Sequence, residues 1–402
     1  MGFSIQYSAF GIHHSAFRMR VLMLSKALVE GAYQKKAEAL AALPGVELTV
    51  AVPPAWREPG VGERPLERCF TRGYRLVVLP IVFNGRHHIH CYPTLGRLVA
   101  ALRPDVFHID EEAFNLATFL AMRVGVRYGA RCCFYNWATI DRWYPPPFAF
   151  FERYVFRHAA HAIAGAADAA TIIRKHGYRG PISVLPQFGV DPDLFSPRTD
   201  NGRETVDDNR SRSSFVVGYI GRLVPQKGVL DLVEALATLP PAVRLRLIGD
   251  GVLRDRIVAR AGQLGVSERL EIRPAVSSTA VPHELRQLDV LVLPSRTTRT
   301  WKEQFGRVLI EAMSCSVPVI GSSSGEIPRV IGDAGLVYPE GDVAALGTAI
   351  RRLVDDPALA AELGRRGRMR VLERYTQAAL AQQYYAVYRS MLEGRHVPAP
   401  ID

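Results

Sequence analysis

Short apolar runs alternate with amphipathic segments along almost the whole chain, and this alternation limits the possible folds more than any other feature. In the first half, runs with the composition of buried strands occupy residues 20–24, 47–52, 76–81, 106–109, 132–135, 162–164 and 182–185. Segments between them carry apolar residues at helical spacing, as at 32–42, 113–127 and 167–176. Strands that alternate with helices predict an α/β fold with mainly parallel sheets.

A polar segment divides this pattern in two. Apolar residues nearly vanish between residues 200 and 214, and the alternation then restarts at residue 215. A chain of 402 residues is longer than one ordinary core supports, so two domains are expected. The predicted order is a domain at 1–198 that opens with a tail at 1–18, a linker at 199–214, a domain at 215–375 and a terminal helical segment at 376–395.

Two glutamates flank a glycine at the start of a predicted helix in the second domain. The segment Glu303-Gln-Phe-Gly306-Arg-Val-Leu-Ile-Glu311 lies between two apolar runs, so it belongs to a β–loop–α–β unit. Gly306 lets a ligand approach the backbone, and the free amides at Gly306 and Arg307 carry about half a positive charge, which suits a phosphate. The glutamates accept hydrogen bonds from sugar hydroxyls. Phosphate and polyol together predict a nucleotide sugar, and the carboxyl ends of the strands in both domains are expected to face one cleft.

A second turn of the same domain carries two cations. Gly221-Arg222-Leu-Val-Pro-Gln-Lys227-Gly228 follows the strand-like run at 214–220 and leads into a predicted helix. One arginine and one lysine in a short βα turn can hold a diphosphate from two sides, Arg222 as a planar fork and Lys227 as a point charge. Alone, the turn fits ordinary surface cations better; beside the glutamate pair, it favours a donor site.

These motifs, in this order, resemble glycosyltransferase family 4, a family of retaining enzymes with the GT-B fold. The resemblance also rests on Leu247-Ile-Gly-Asp-Gly251 and Asp289-Val-Leu-Val-Leu-Pro-Ser295, and Pro186-Gln-Phe-Gly-Val-Asp191 resembles the family's crossing between domains. It implies two Rossmann-like, doubly wound domains about a central cleft and a C-terminal helix that returns to the N-terminal domain. The implied activity is transfer of a sugar from a nucleoside-diphosphate sugar to a hydroxyl acceptor, in cell-surface polysaccharide, glycolipid or glycoside biosynthesis.

The resemblance assigns the second domain to the donor. Glu311 is expected to hold the ribose hydroxyls and Glu303 the transferred sugar, and the expected catalytic residues are Arg222, Lys227 and Glu303. The expected donor-binding residues are Gly221, Arg222, Lys227, Gly249, Glu303, Gln304, Phe305, Gly306, Arg307, Val308 and Glu311. Cationic side chains and helix amides replace a divalent cation in this expectation. Neither a metal nor another cofactor is expected.

The first domain is left for the acceptor. The expected acceptor-binding residues are Gly31, His108, Asp110, Glu111, Asn136 and Trp137. Gly31 lies where the family usually carries a glycine-rich acceptor loop. Asp110 and Glu111 end a predicted strand, where acids at a helix N-terminus are an equally good explanation. Many relatives carry a histidine in the loop after the next strand, but Asn136 and Trp137 occupy that loop here.

Two patterns that imitate metal sites are interpreted otherwise. Asp191-Pro-Asp193 copies the Asp-x-Asp motif of other glycosyltransferases but lies at the domain crossing. His87-His-Ile-His90 lacks a companion cluster of carboxylates or thiolates. The five cysteines show no metal spacing, and their odd number argues against a disulfide framework. A reduced, cytoplasmic and metal-free protein is expected.

The net positive charge has two explanations, and the sequence supports them equally. Of the net charge of +11, residues 1–200 carry +7. A basic N-terminal domain fits peripheral contact with an anionic membrane, at the inner face of the cell membrane, or simply an arginine-rich genome. The aromatic segment 148–156 can rest on a membrane but fits a core-packing helix better. A glycan or lipid-linked acceptor is expected as partner, and nucleic acid is not.

Two alternatives stay open on the sequence. Other GT-B catalysts include sugar-nucleotide epimerases and phosphorylases, although the glutamate pair argues against an epimerase and a phosphorylase would carry pyridoxal phosphate. A nucleotide-sugar-binding subunit without catalytic activity is the other alternative, because the usual histidine is missing.

Overall fold

The computed structural model describes residues 18–58, 62–198 and 214–394. Nearly all of the predicted tail and linker lies outside these ranges. The strands of the N-terminal domain are β1 (Met19–Leu24), β2 (Val46–Val52), β3 (Ala55–Glu58), β4 (Gly62–Pro65), β5 (Arg75–Val78), β6 (Val106–Ile109), β7 (Arg131–Asn136), β8 (His161–Ala164) and β9 (Ile182–Val184). Strands β3 and β4 form an antiparallel hairpin. The other strands form one parallel sheet in the order β5-β2-β1-β6-β7-β8-β9.

The C-terminal domain contains a second parallel sheet. Its strands are β10 (Phe215–Ile220), β11 (Val243–Ile248), β12 (Leu270–Arg273), β13 (Val290–Leu293), β14 (Val319–Ser322) and β15 (Leu336–Tyr338). They pair in the order β12-β11-β10-β13-β14-β15. Because the strand order reverses next to β10, the carboxyl ends of β10 and β13 form a switch point, where ligands of such sheets bind.

Helices cover the faces of both sheets. The helices of the N-terminal domain are α1 (Lys35–Ala41), α2 (Leu95–Leu102), α3 (Leu116–Arg127), α4 (Phe148–His158) and α5 (Ala167–Lys175). Those that follow are α6 (Val229–Thr238), α7 (Arg254–Gln263), α8 (Val281–Leu285), α9 (Arg307–Ser314), α10 (Ile327–Ile331), α11 (Val343–Asp355), α12 (Pro357–Arg374) and α13 (Gln377–Glu393). The prediction of two doubly wound α/β domains is confirmed.

The last helix belongs to the N-terminal core although the chain reaches it through the C-terminal domain. Thr376 caps α13 by accepting a hydrogen bond from the Ala379 amide at 3.0 Å. The buried face of α13, including Leu380, Tyr384 and Tyr388, packs in the same core cluster as residues of β1 and β2. Burial of these large apolar side chains holds the two domains together. The predicted return of the C-terminal helix is confirmed.

Sequence and structure differ at a few element boundaries. Strand β5 ends at Val78 rather than at residue 81, because Pro80 has no amide to continue the ladder. The hairpin β3–β4 was not predicted, since its second strand is exposed along its whole length and carries no alternating apolar pattern.

Candidate functional site

The two predicted donor turns lie side by side at the carboxyl edge of the C-terminal sheet. After β10 the chain makes a short 3₁₀ turn, Pro225–Lys227, and ends it at Gly228, whose φ is +63°. A Cβ on Gly228 would lie 1.9 Å from the carbonyl oxygen of Pro294, the residue after β13. Only glycine therefore permits this approach, which brings the turn carrying Arg222 and Lys227 against the loop carrying Glu303.

The cation of one turn and the carboxylate of the other are in direct contact. Lys227 Nζ donates to Glu303 Oε2 at 2.5 Å, and Ser295 Oγ donates to the same oxygen at 2.7 Å. The ammonium also lies 4.9 Å from the centre of the Trp301 ring. Glu303 is buried, whereas Arg222, on the same turn as Lys227, is exposed. A diphosphate and a sugar that bind here would meet all three groups within one site.

Helix α9 opens directly onto this edge. Gly306 is its N-cap, with φ of +76°, a left-handed conformation that favours glycine, and the helix starts at Arg307. The free amides of the first turn carry the positive end of the helix dipole. Gly306 and Arg307 thus lie where the sequence predicts a phosphate seat. Phe305 differs, because its side chain packs in the core against Tyr375, so only its backbone can face a ligand.

The second predicted glutamate forms an ion pair within its own helix. Arg307 Nε donates to Glu311 Oε1 at 2.8 Å, and Arg307 Nη1 donates to the Tyr33 hydroxyl at 2.9 Å. Tyr33 belongs to the N-terminal domain and stacks on Phe188 at 4.0 Å between ring centres. Burial raises the pKa of Glu311, while Arg307 opposes that rise. Arg307 therefore links the two domains, and it does so next to Glu311, the residue that is expected to bind the ribose.

The remaining donor residues surround these contacts. A Cβ on Gly249 would lie 2.0 Å from the Gly221 carbonyl oxygen, so this glycine allows the ends of β10 and β11 to meet. Val308 is half-buried and packs on the C-terminal core. Gln304 is exposed, and its Nε2 donates to the Trp137 carbonyl at 3.0 Å across the cleft.

On the acceptor side, Trp137 and Asp110 belong to one hydrogen-bond chain. Trp137 Nε1 donates to Gln187 Oε1 at 2.8 Å, and Gln187 Nε2 donates to Asp110 Oδ2 at 2.8 Å. Ser25 Oγ, directly after β1, donates to the same carboxylate oxygen at 2.6 Å. Asn136, which ends β7, is buried beside this chain. The network lies at the carboxyl edge of the N-terminal sheet and faces the donor loop through Trp137.

Two expected acceptor contacts are wrong. His108 is fully buried under α13, where its Nδ1 lies 2.7 Å from the Tyr388 hydroxyl, so it does not face the cleft. Burial lowers the pKa of His108 to about 3. Gly31 does not open space for a substrate, because a Cβ there would lie 2.3 Å from Cys69 Sγ and 2.7 Å from Glu67 Oε2. Atoms of Cys69 and Glu67 therefore occupy the space next to Gly31.

Glu111 is also buried in a protein contact rather than open to a ligand. Its side chain is completely inaccessible and pairs with Lys26, the second residue after β1. His90 Nε2 lies 3.5 Å from its other oxygen. Burial acts to raise the pKa of Glu111, but Lys26 and His90 outweigh it and hold that pKa at about 2. The alternative of acids at a helix N-terminus does not describe Glu111 either.

Several residues at the cleft were not found from the sequence. Ser25 and Lys26 follow β1 directly, so the rule that ligand sites lie at strand carboxyl ends would have found them. Tyr33, Gln187 and Trp301 carry no local signal. Other contacts also cross the cleft, including Lys302 Nζ to Asp168 Oδ2 at 2.6 Å and the Ala167 amide to Glu326 Oε2 at 3.0 Å.

The patterns that imitate metal sites are engaged in other contacts. Asp191 pairs with Lys35. His88 and His90 contact different neighbours, Asn115 and the His87 carbonyl, respectively. Within residues 18–58, 62–198 and 214–394, no three His, Cys, Asp or Glu side chains form a group that could hold a metal ion.

Family models match both halves of the chain. The model described as "Glycosyl transferases group 1" matches residues 203–370, and "Glycosyltransferase Family 4" matches residues 35–206. Together they cover residues 35–370, which contain every donor motif and every strand of both sheets except β1. A relative from Mycolicibacterium smegmatis, GDP-mannose-dependent alpha-(1-6)-phosphatidylinositol monomannoside mannosyltransferase, is 31% identical over 236 residues, which cover 55% of this chain and 62% of that protein.

Other similar proteins act on different compounds. The 2-deoxystreptamine glucosyltransferase of Streptomyces kanamyceticus is 28% identical over 62% of this chain and 68% of its own length. The chain thus spans about three fifths to two thirds of these curated relatives, and 48% of a D-inositol 3-phosphate glycosyltransferase from Streptomyces avermitilis.

Solved structures match the fold over nearly the whole chain. Sucrose-phosphate synthase from Thermosynechococcus elongatus superposes with a TM-score of 0.69 at 22% identity, covering 94% of this chain and 100% of that one. HepE from Anabaena, in complex with UDP, gives a TM-score of 0.69 at 18% identity, covering 92% of this chain and 100% of that one. These likenesses confirm the predicted GT-B fold.

Proposed function

This chain belongs to glycosyltransferase family 4, and on that premise we propose that it is a retaining, metal-independent hexosyltransferase that uses a UDP or GDP sugar. The observation that carries the proposal is the convergence of Arg222, Lys227, Glu303 and the N-terminus of α9 at one edge of the C-terminal sheet. Cations and helix amides suit a diphosphate, and a carboxylate beside them suits sugar hydroxyls. The hydroxyl acceptor binds from the N-terminal domain.

The reaction breaks the bond between the anomeric carbon and the distal phosphate oxygen of the donor. Negative charge then grows on the departing diphosphate, where Arg222, Lys227 and the α9 amides stabilise it without a divalent ion. The acceptor oxygen attacks from the face that the diphosphate leaves, and its proton passes to the departing phosphate oxygen. The products are a glycoside of unchanged anomeric configuration and a nucleoside diphosphate.

The two glutamates have separate roles in this proposal. Glu311 accepts hydrogen bonds from the ribose hydroxyls, and it shares its carboxylate with Arg307, which already holds one oxygen. Glu303 accepts hydrogen bonds from the transferred sugar while Lys227 and Ser295 keep its carboxylate oriented. Each glutamate therefore has a protein partner, Lys227 for Glu303 and Arg307 for Glu311, that holds its carboxylate in position before the donor binds.

Contacts across the cleft support a closed state that excludes water from the donor. Arg307 reaches Tyr33, and Gln304 reaches Trp137, so the donor loop before α9 and the first residue of that helix already contact the N-terminal domain. Exclusion of water limits hydrolysis of the donor and strengthens the electrostatic contacts inside. The acceptor is a glycan or a lipid-linked compound of polysaccharide, glycolipid or glycoside synthesis, and peripheral contact with an anionic membrane would present a lipid-linked one.

A nucleotide screen followed by product analysis tests this function. A matching nucleoside diphosphate at 100 times its dissociation constant should stabilise the protein by about 2.7 kcal/mol, which a thermal shift detects. The corresponding sugar nucleotide is then incubated with candidate acceptors, and NMR reports the anomeric configuration of the product. Retention is expected. An inverted product, or the absence of stabilisation by every nucleoside diphosphate, would contradict the proposal.

Chelation tests the proposed independence of metal. Because cations and amides stabilise the leaving group, saturating EDTA should leave the initial rate of transfer nearly unchanged. Loss of activity that Mg²⁺ or Mn²⁺ restores would require a metal in the site.

A further inference from the structure

Helices α3 and α4 present an outward surface that combines exposed apolar side chains with arginines. We call it the α3–α4 face, and it consists of Arg123, Val126, Arg127, Arg142, Trp143, Phe150, Arg153 and Arg157, all of them exposed. Trp143 is 81% exposed and Phe150 is 51% exposed. Large aromatic side chains that are left in water to this extent often mark an interaction site.

Two members of this face, Arg123 and Phe150, contact the same ring of α3. The Phe119 ring, on α3, has the Phe150 ring 5.6 Å away and the Arg123 guanidinium 5.5 Å away. Phe150, Arg153 and Arg157 follow each other at spacings of three and four residues, so they share one side of α4. The opposite side of α4 packs on the core through Val155. The helix is thus core-packing, as its sequence favours, and still keeps an apolar and basic outer side.

The two acids in this part of the sequence form ion pairs with residues that are not members of the face. Residues 116–158 contain six arginines and only two acids, Asp141 and Glu152. His176, just after α5, lies 2.9 Å from Asp141 and 3.0 Å from Glu152, and Lys175 also pairs with Asp141. The arginines of the α3–α4 face therefore keep a net positive charge for an external partner.

We propose that the α3–α4 face rests on an anionic membrane surface, with Trp143 and Phe150 inserted to headgroup depth. The inference rests on the proposed membrane contact of the enzyme and names the surface that makes it. Tryptophan at a bilayer interface can bury its apolar ring while its N–H stays in a polar layer, and nearby arginines attract anionic lipid headgroups. No helix of the described residues has the length and apolar character needed to cross a bilayer, so this surface contact would be peripheral.

The same loop that carries Trp143 also touches the cleft. Arg142 Nη2 donates to the Thr300 carbonyl at 3.5 Å, in the loop before Glu303, and Trp137 at the start of the loop contacts Gln304. A membrane seated on the α3–α4 face therefore lies beside the mouth of the cleft. A lipid-linked acceptor can enter there without leaving the interface.

Vesicle sedimentation with the full chain tests the proposal without any sugar nucleotide. Wild type is mixed with phosphatidylcholine vesicles that either contain or lack phosphatidylglycerol, and we expect binding to the anionic vesicles only. Raising the salt from about 0.1 M to about 0.5 M should release the protein, because screening weakens the attraction. The double variant Arg153→Gln/Arg157→Gln should bind about 25-fold more weakly, at about fivefold for each arginine. Trp143→Ser/Phe150→Ser should lose about tenfold or more.

A matched control variant distinguishes binding through the α3–α4 face from nonspecific binding of the protein to vesicles. Met369 is as exposed as Phe150 at 51%, and Arg256 is an exposed arginine of α7, so Met369→Ser/Arg256→Gln should bind anionic vesicles like wild type. Melting temperatures and donor hydrolysis in solution should match wild type in all three variants. Normal hydrolysis with no vesicle binding would overturn the membrane surface while leaving the proposed function intact. Equal binding by the face variants and the control would also overturn it, as would a dimer that dissociates in the face variants without any lipid binding.

Discussion

Ionisable residues lie in different environments on the donor side and on the acceptor side of the cleft. On the donor side, Arg222 is exposed at an open turn, and Lys227 and Glu303 contact each other at the edge where a ligand would bind. On the acceptor side, Glu111 and His108 are sealed from solvent and engaged with other parts of the chain.

This difference in environment indicates different roles for the donor-side and the acceptor-side residues. At the donor strand ends, Arg222 is exposed, and the Lys227–Glu303 pair can exchange its mutual contact for contacts with a ligand. Buried and paired charges mainly hold the domain together, because removal of one partner leaves the other uncompensated in a poorly polarisable interior. Substitutions on the acceptor side should therefore affect stability, and substitutions on the donor side should affect turnover.

The largest effect is expected for Lys26→Met. Glu111 has a completely inaccessible side chain, so loss of its cation should lower the free energy of unfolding by about 3–5 kcal/mol. Urea denaturation measures the loss. Because pairing lowers the pKa of Glu111 in the fold, its contribution is present above pH about 4.5 and disappears towards pH 2. The variant should therefore differ from wild type most at neutral pH, and equal stability at that pH would refute the pairing.

The next effect concerns the donor turn. Arg222→Ala and Lys227→Ala should each lose on the order of 2–4 kcal/mol of transition-state stabilisation in kcat/KM, because both cations meet the departing diphosphate. The melting temperature of Arg222→Ala should not change, since this side chain is exposed. Arg256→Ala, at an exposed arginine of α7 that is not among the predicted donor residues, serves as the control. Near-normal turnover in both donor variants would remove the turn from the site.

A smaller effect, on the pH dependence of stability, is expected for the buried His108. Because the pKa of His108 falls to about 3 in the fold, the unfolded chain binds the proton first as the pH drops below about 6.5. Wild type should therefore lose up to about 1.4 kcal/mol per pH unit between pH 6 and 5 that His108→Gln does not lose. Denaturation at several pH values measures the slopes, and parallel slopes in the two proteins would place His108 in contact with solvent.

Most of the architecture could be predicted from the sequence because it depends on local patterns. Apolar runs and helical spacing mark the parallel strands and the terminal helix, and the Glu303–Gly306–Glu311 spacing lies within one β–loop–α–β unit. Gly306 needs its left-handed backbone whatever surrounds it. The predicted donor motifs therefore lie together at one edge of the C-terminal sheet, while the Phe305 side chain points into the core.

The acceptor side could not be predicted in the same way because distant segments decide it. His108 is covered by α13, which lies 280 positions later where Tyr388 contacts it. Arg307 meets Tyr33 from 274 positions away. Lys26 and Glu111 are brought together only because β1 and β6 pair as neighbours. No short motif records such contacts, and a histidine or acid at a strand end looks the same whether a ligand or a helix covers it.

The roles of the two glutamates test the account most directly. Calorimetric titration with the bare nucleoside diphosphate compares Glu311→Gln with Glu303→Gln, because that ligand carries the ribose but lacks the transferred sugar. Glu311→Gln should weaken binding by about 1–3 kcal/mol, the size of a hydrogen bond to a charged group. Glu303→Gln should bind the nucleotide almost normally and lose transfer. If only Glu303→Gln loses nucleotide affinity, the roles are reversed; if neither variant loses affinity or activity, the glutamate pair is not the donor site.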